Sequence, residues 1–187
     1  MPEQNLAIFD TAIGACAIVW GARGLLGVQI PEAGAAATRA RMVTRFPAAQ
    51  ETPPPLEIQN VIDGMRALLR GERRDLADVV IDDDGVPELN RRVYAIVRQV
   101  PPGQTITYGE IAERLGDRAL ARAVGQAMGE NRCPIVMPCH RVLAASGKTG
   151  GFSAPGGVVT KLKLLTIEGA QPGGPTLFDA LPLQARR

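Results

Sequence analysis

The sequence predicts a mixed α/β chain of the α+β kind. A small N-terminal sheet-and-helix domain precedes a mainly helical, winged helix-turn-helix-like C-terminal domain. Three observations lead there. Residues 6–30 alternate short apolar runs with turn signals, the pattern of strands joined by hairpins. Residues 56–69 and 88–100 carry apolar side chains at helical spacing. Residues 108–129 read as two short helices joined by Gly116-Asp117, a helix-turn-helix pattern. A length of 187 residues allows one large domain or two small ones, and the composition break near 82–88 favours two. They are expected at 1–87 and 88–170, and the Pro- and Gly-interrupted stretch 171–187 reads as a tail.

In chain order, the strands are expected around Leu6–Phe9, Ala17–Trp20 and Leu25–Ile30, with Cys16 a small core residue of the second. Residues 33–45 predict a helix with Thr38 and several arginines on its polar side. Pro47 and Pro53-Pro54-Pro55 break the chain into an extended connector. The helix over 56–69 places Ile58, Val61, Ile62, Met65, Leu68 and Leu69 on one face, and Gly71 stops it. Leu76–Ile81 predicts another strand and Asp82-Asp83-Asp84-Gly85 a turn. Three aspartates in a row also suit a metal, but no DxDxDG loop follows, which leaves a solvated turn. This half offers no catalytic constellation of its own.

In the second half, a helix over 88–100 turns Leu89, Val93, Ile96, Val97 and Val100 inward, and Pro101-Pro102-Gly103 ends it. Thr107-Tyr108-Gly109-Glu110 fits a capping box and opens a helix to Leu115. The next helix, 118–129, is thin. Ala119, Ala121, Ala123, Gly125, Ala127 and Gly129 leave Arg122 as the one long charged side chain in its middle. Such a helix either packs closely on a neighbour or enters a narrow groove.

Residues 131–142 then bring Cys139 next to His140, the sole histidine. Thiol and imidazole together can make a thiolate near neutral pH, although neighbours on a regular element point apart. Pro138 and the apolar run Ile135-Val136-Met137 make a rigid, dry approach to this pair. Gly147-Lys148-Thr149 looks like the end of a phosphate-binding loop, but Val142 stands where its first glycine is required. A last helix is expected over 159–168.

Composition narrows the classes. The net charge of +2 hides an asymmetry: eight basic against twelve acidic residues in 1–87, thirteen against seven in 88–187. The basic half carries the Cys-His pair, which points to an anionic partner there. No apolar run approaches a membrane span, and the start lacks a signal-peptide pattern. Three cysteines without repeated spacing argue against a disulfide framework and suit a reducing cytoplasm. With one histidine and no CxxC pair, a zinc site has almost nothing to use.

Pro138-Cys139-His140-Arg141-Val142, with Asn131 eight residues before the cysteine, resembles the signature of the O6-alkylguanine-DNA alkyltransferases. The resemblance implies that Cys139 takes an alkyl group from O6-alkylguanine, and from O4-alkylthymine, and keeps it, so each molecule acts once. It implies His140 as the base acting through a water, Glu168 as its orienting carboxylate, Asn131 as a brace, and Tyr108 as proton donor and phosphate pusher. Arg122 would fill the stack vacated by a flipped base, with Ala121, Ala123 and Gly125 against the minor groove. Met128, Pro134, Val142, Phe152, Ser153 and Lys161 would form or flank the pocket.

The implied partner is double-stranded DNA bound by a monomer, with no cofactor, metal or membrane. The resemblance covers residues 88–170 well and the first 87 loosely. Phe152 departs from the tyrosine of many relatives, and the segment 153–157 is longer than in some. Two other classes compete. One is a lesion-binding protein that does not transfer; the family's inactive relatives carry Trp at the cysteine, and here it is Cys. The other is a cysteine hydrolase, which would need a distant histidine that the chain lacks.

Overall fold

The structure of the protein, a computed structural model, is described for residues 3–170. The expected tail, 171–187, lies outside the described residues. Three strands form an antiparallel meander: β1 (Gln4–Thr11), β2 (Gly14–Gly21) and β3 (Gly24–Gln29). A fourth, β4 (Ala49–Glu51), pairs parallel to β1, giving the order β3-β2-β1-β4. The proline-bounded connector therefore contains a strand the sequence does not announce. Three residues are too few for an alternation to show.

The sheet is covered on both faces. Helix α1 (Ala35–Arg45) packs on one, where Met42 meets Leu6, Ala17 and Val19. Helix α2 (Leu56–Leu69) packs on the other, its Ile58, Val61, Ile62 and Met65 against Phe9, Cys16, Ile18 and Trp20. This is why β2 is buried almost throughout rather than alternately. Thr38 is corrected by this packing. It lies fully buried on the sheet side of α1, where its hydroxyl donates to Ala15 O and accepts from Glu32 N, so burial leaves it satisfied. Gly27 is required by the same layer: a Cβ there would stand 2.6 Å from the Phe46 ring.

The strand expected at 76–81 does not form. Only Ile81 makes a bridge, parallel to Leu25. The residues before it fold as a turn, with Val79 N on Leu76 O, Asp75 capping Ala77 N, and Arg98 reaching Val79 O. Leu76 is buried under α2 but Val80 is exposed, so the apolar run reflects one core residue rather than a sheet. The Asp82–Gly85 turn forms as expected, and Arg23 pairs with Asp82 and Asp84. Among the described residues no acidic, cysteine or histidine cluster suits a metal.

The second half begins with α3 (Glu88–Val97), which stops three residues earlier than its periodicity suggests. Strand β5 (Ile106–Thr107) leads into α4 (Tyr108–Arg114), and both hydrogen bonds of the capping box are present between Thr107 and Glu110. The first turn of the next helix is a 3-10 turn capped by Asp117, continuing into α5 (Ala121–Gly129). Strand β6 (Val142–Leu143) pairs parallel to β5, and α6 (Gly157–Ile167) closes the described chain. One core cluster runs through both halves, joining Leu25, Val28 and Ile30 to Val93, Val97, Val124, Met128 and Ile135–Met137.

Candidate active site

The β5–β6 ladder positions the site. Ile106 pairs with Val142 and Thr107 with Leu143, so the start of α4, with Tyr108, lies beside the 3-10 turn Cys139–Arg141. That turn resolves the difficulty of adjacent residues pointing apart. On a 3-10 turn successive side chains diverge by a third of a circle. Cys139 faces a cavity of about 440 Å3, while His140 points into the protein.

His140 Nε2 lies 2.9 Å from Glu168 Oε1. Glu168 is also gripped by Arg141, whose Nε and Nη2 donate to its two oxygens at 2.9 and 2.8 Å. Arg141 Nη1 donates to Val100 O at 2.6 Å. Burial opposes the Glu168 charge, but hydrogen bonds from His140 and Arg141 outweigh it and hold the carboxyl down to about 2. An ionised Glu168 can only accept, so His140 Nε2 keeps its proton and donates it in a hydrogen bond, which leaves Nδ1 as the acceptor. That Nδ1 is buried and has no hydrogen-bond partner among the described residues. Burial also pushes His140 below its ordinary value, so it rests as neutral imidazole, ready to accept a proton at Nδ1.

Asn131 holds the approach to the cysteine. Its Oδ1 accepts from Cys133 N, and its Nδ2 lies 2.9 Å from Met137 O and 3.0 Å from Cys139 Sγ. The turn it spans contains Ile135 at φ 77, a strained conformation for a β-branched residue. Burial raises the Cys139 thiol, while the Asn131 hydrogen bond and the Lys161 charge act the other way. Sulfur therefore holds its proton until a base removes it.

Lys161 is fully buried, donating to Val142 O at 2.5 Å and Gly151 O at 3.4 Å. Its ammonium lies 5.9 Å from the Tyr108 ring centre, and burial lowers it to about 8. Burial likewise raises the Tyr108 phenol, which keeps it a proton donor.

Tyr108, Gly125, Met128, Phe152 and Ser153 line the cavity with Cys139. Pro134 lines a neighbouring chamber instead, and Val142 and Lys161 stand behind the wall, bonded to each other. Arg122 is exposed on α5 and makes no ion pair among the described residues, whereas Arg118 pairs with Glu113. Ala121 and Ala123 are half-buried. A Cβ at Gly125 or Gly129 would meet nothing within 4 Å, so packing inside this chain does not require those glycines.

The model of the 6-O-methylguanine DNA methyltransferase, DNA binding domain, matches residues 88–170. A methylated-DNA–protein-cysteine methyltransferase of Methanothermobacter thermautotrophicus is 34% identical over 157 residues, 84% of this chain and 81% of the relative. The chain belongs to the O6-methylguanine-DNA methyltransferase family. A crystal structure of the Mycobacterium tuberculosis methyltransferase in complex with DNA superimposes on this family member with a TM-score of 0.71 at 32% identity. It covers 88% of this chain and 92% of its own. A Thermus thermophilus relative, 40% identical over 112 residues (59% of this chain, 72% of that one), is named a DNA base-flipping protein. Membership in the methyltransferase family fits both the mixed fold and the match of residues 88–170 to a DNA-binding domain.

The role of Arg141 as the clamp on Glu168 is what sequence reasoning missed. Its signal was a charged residue inside an otherwise apolar, buried stretch, where an arginine must find a partner.

Proposed function

We propose that this protein repairs DNA by moving the alkyl group of O6-alkylguanine, and of O4-alkylthymine, onto Cys139, once per molecule. The observation that carries the reading is the relay at the cavity wall. Asn131 donates to Cys139 Sγ, His140 stands behind with a free Nδ1, and Glu168 holds the other nitrogen.

In the proposed reaction α4 and α5 form the helix-turn-helix, and α5 enters the minor groove with Ala121, Ala123 and Gly125 towards the DNA. Arg122 fills the gap left by the flipped base. The base enters the cavity between Tyr108, Met128, Phe152 and Ser153. A water between Sγ and Nδ1 passes the thiol proton to His140, and Glu168 stabilises the imidazolium. The thiolate attacks the alkyl carbon, the C–O6 bond breaks, and Tyr108 protonates the departing guanine. Asn131 and Lys161 hold the walls and favour the thiolate. Val142, through its main chain, and Pro134 complete the substrate's surroundings. The thioether has no route back to thiol, so the protein is consumed.

The division of labour proposed is a supporting domain of residues 1–87 and a DNA-binding, alkyl-transferring domain of residues 88–170, acting as a monomer in the reducing cytoplasm without a cofactor. No helix among the described residues is long and apolar enough to cross a membrane.

The base-flipping relative supports a second reading, a protein that binds and flips the lesion without transfer. Intact mass after incubation with duplex O6-methylguanine separates the two. Transfer adds one methyl per chain and then stops; a binder gains none.

A further inference from the structure

Cys139 is a wall of two cavities. The second, about 370 Å3, shares Cys139, Gly129, Phe152 and Ser153 with the first and lies on the side of β3 and α1. Pro134 lines it too, as do Arg41, Arg45 and Arg132. Its one acidic wall residue, Glu130, is already bonded to Asn90 Nδ2 at 2.7 Å.

The three guanidinium groups are poorly neutralised. Arg45 spends its donors on Val28 O, Gln29 Oε1 and Arg132 O, none of them charged. Arg41 has only Glu32, at 4.0 Å, and Arg132 has no carboxylate among the described residues. Partial burial lowers Arg45, and the charges of Arg41 and Arg132 add to that, so Arg45 feels both neighbours. Converging cations without a counter-charge favour an anion between them.

What can arrive there follows from the transfer reading, on which this inference rests. The sulfur bonds to the carbon attached to O6 as the C–O6 bond breaks. The electron pair leaves on O6, and the guanine takes a proton. Any chain beyond the reacting carbon is not consumed and must lie beside the sulfur. The base fills the Tyr108–Met128 cavity, so the space left beside Cys139 is the second chamber. We propose that this chamber receives the far end of long O6 substituents, and that Arg41, Arg45 and Arg132 make chains ending in a carboxylate preferred over neutral ones.

The test compares three lesions in one duplex sequence: O6-methylguanine, O6-(3-carboxypropyl)guanine and the carboxamide of the latter. The charged and neutral chains are near-isosteric, and their end group is remote from the reacting carbon. The wild-type chain should transfer the carboxylate chain about fivefold faster than the carboxamide, the scale of partly exposed ion pairs. Arg41→Gln combined with Arg132→Gln, both at exposed positions, should bring that ratio close to one and leave methyl transfer unchanged. Equal rates in the wild type, or a ratio that survives the double substitution, would overturn the proposal. So would slowing of all three lesions in step with weaker DNA binding, which would make these arginines contacts to DNA phosphates. Absence of methyl transfer in the wild type is a different failure, that of the transfer reading itself.

Discussion

One amide of Asn131 serves two neighbours: Nδ2 lies 2.9 Å from Met137 O and 3.0 Å from Cys139 Sγ. The group that pins the turn before the nucleophile is thus also the donor to the sulfur. Asn131→Ala should remove this donor and the acceptor for Cys133 N together. About 2–3 kcal/mol of stability should be lost, since the strained Ile135 is no longer braced. The folded Asn131→Ala protein, assayed well below its urea midpoint, should also transfer slowly, because Sγ has lost its donor. A wild-type rate in that folded variant would show that Asn131 acts only on the fold.

Glu168 sets the acid sensitivity. Its folded carboxyl sits near 2, below its ordinary 4.5, so its stabilisation is complete above 4.5 and is lost as pH falls towards 2. His140 is lowered from 6.5, so an unfolded chain binds that proton more readily, and stability also declines as pH drops below 6.5. Glu168→Gln should cost about 3 kcal/mol near neutrality by leaving Arg141 buried without its partner. Its deficit against wild type should shrink between 4.5 and 2. A deficit that grows on acidification would contradict the assignment.

Gly125 separates packing from access. A side chain there meets nothing within 4 Å, and alanine is the better helix former by about 1 kcal/mol. Gly125→Ala should therefore unfold at higher denaturant while transferring more slowly from duplex DNA, because its methyl enters the cavity wall. Faster or equal transfer would remove α5 from the DNA-facing surface.

Arg122 separates flipping from chemistry. Arg122→Ala should slow transfer from duplex DNA strongly and leave transfer from free O6-benzylguanine nearly unchanged, since Cys139, His140 and Glu168 are untouched. Both rates come from one protein, so a folding defect cancels in the ratio. Equal slowing would return Arg122 to a structural role.

Much of this was legible because local signals and tertiary demands agreed. The Leu56–Leu69 helix has the bounds its periodicity implies, and Thr107 with Glu110 makes both bonds of the capping box. The failures were places where a partner elsewhere decided. Thr38 looks polar-facing until Ala15 O and Glu32 N are brought to it, and the run at 76–81 looks like a strand until Arg98 claims its carbonyls. In the site, the fold brings Cys139, His140, Glu168 and Asn131 together. The clamp of Arg141 on Glu168, and the chamber beyond Cys139 with arginines from α1, join residues far apart in sequence that no local pattern connects.

The central claim is that Cys139 accepts the alkyl group, and mapping the modified residue tests it most directly. Wild-type protein incubated with duplex O6-methylguanine, then digested and sequenced by tandem mass spectrometry, should carry one methyl on Cys139. Cys16 and Cys133 should be unmodified: burial pushes their thiols up to about 11 and about 12, and neither lines the cavity that Cys139 shares with Tyr108 and Met128. Cys139→Ser should bind the same duplex and gain no methyl. A methyl on another residue, or a Cys139→Ser chain that still becomes methylated, would contradict the account.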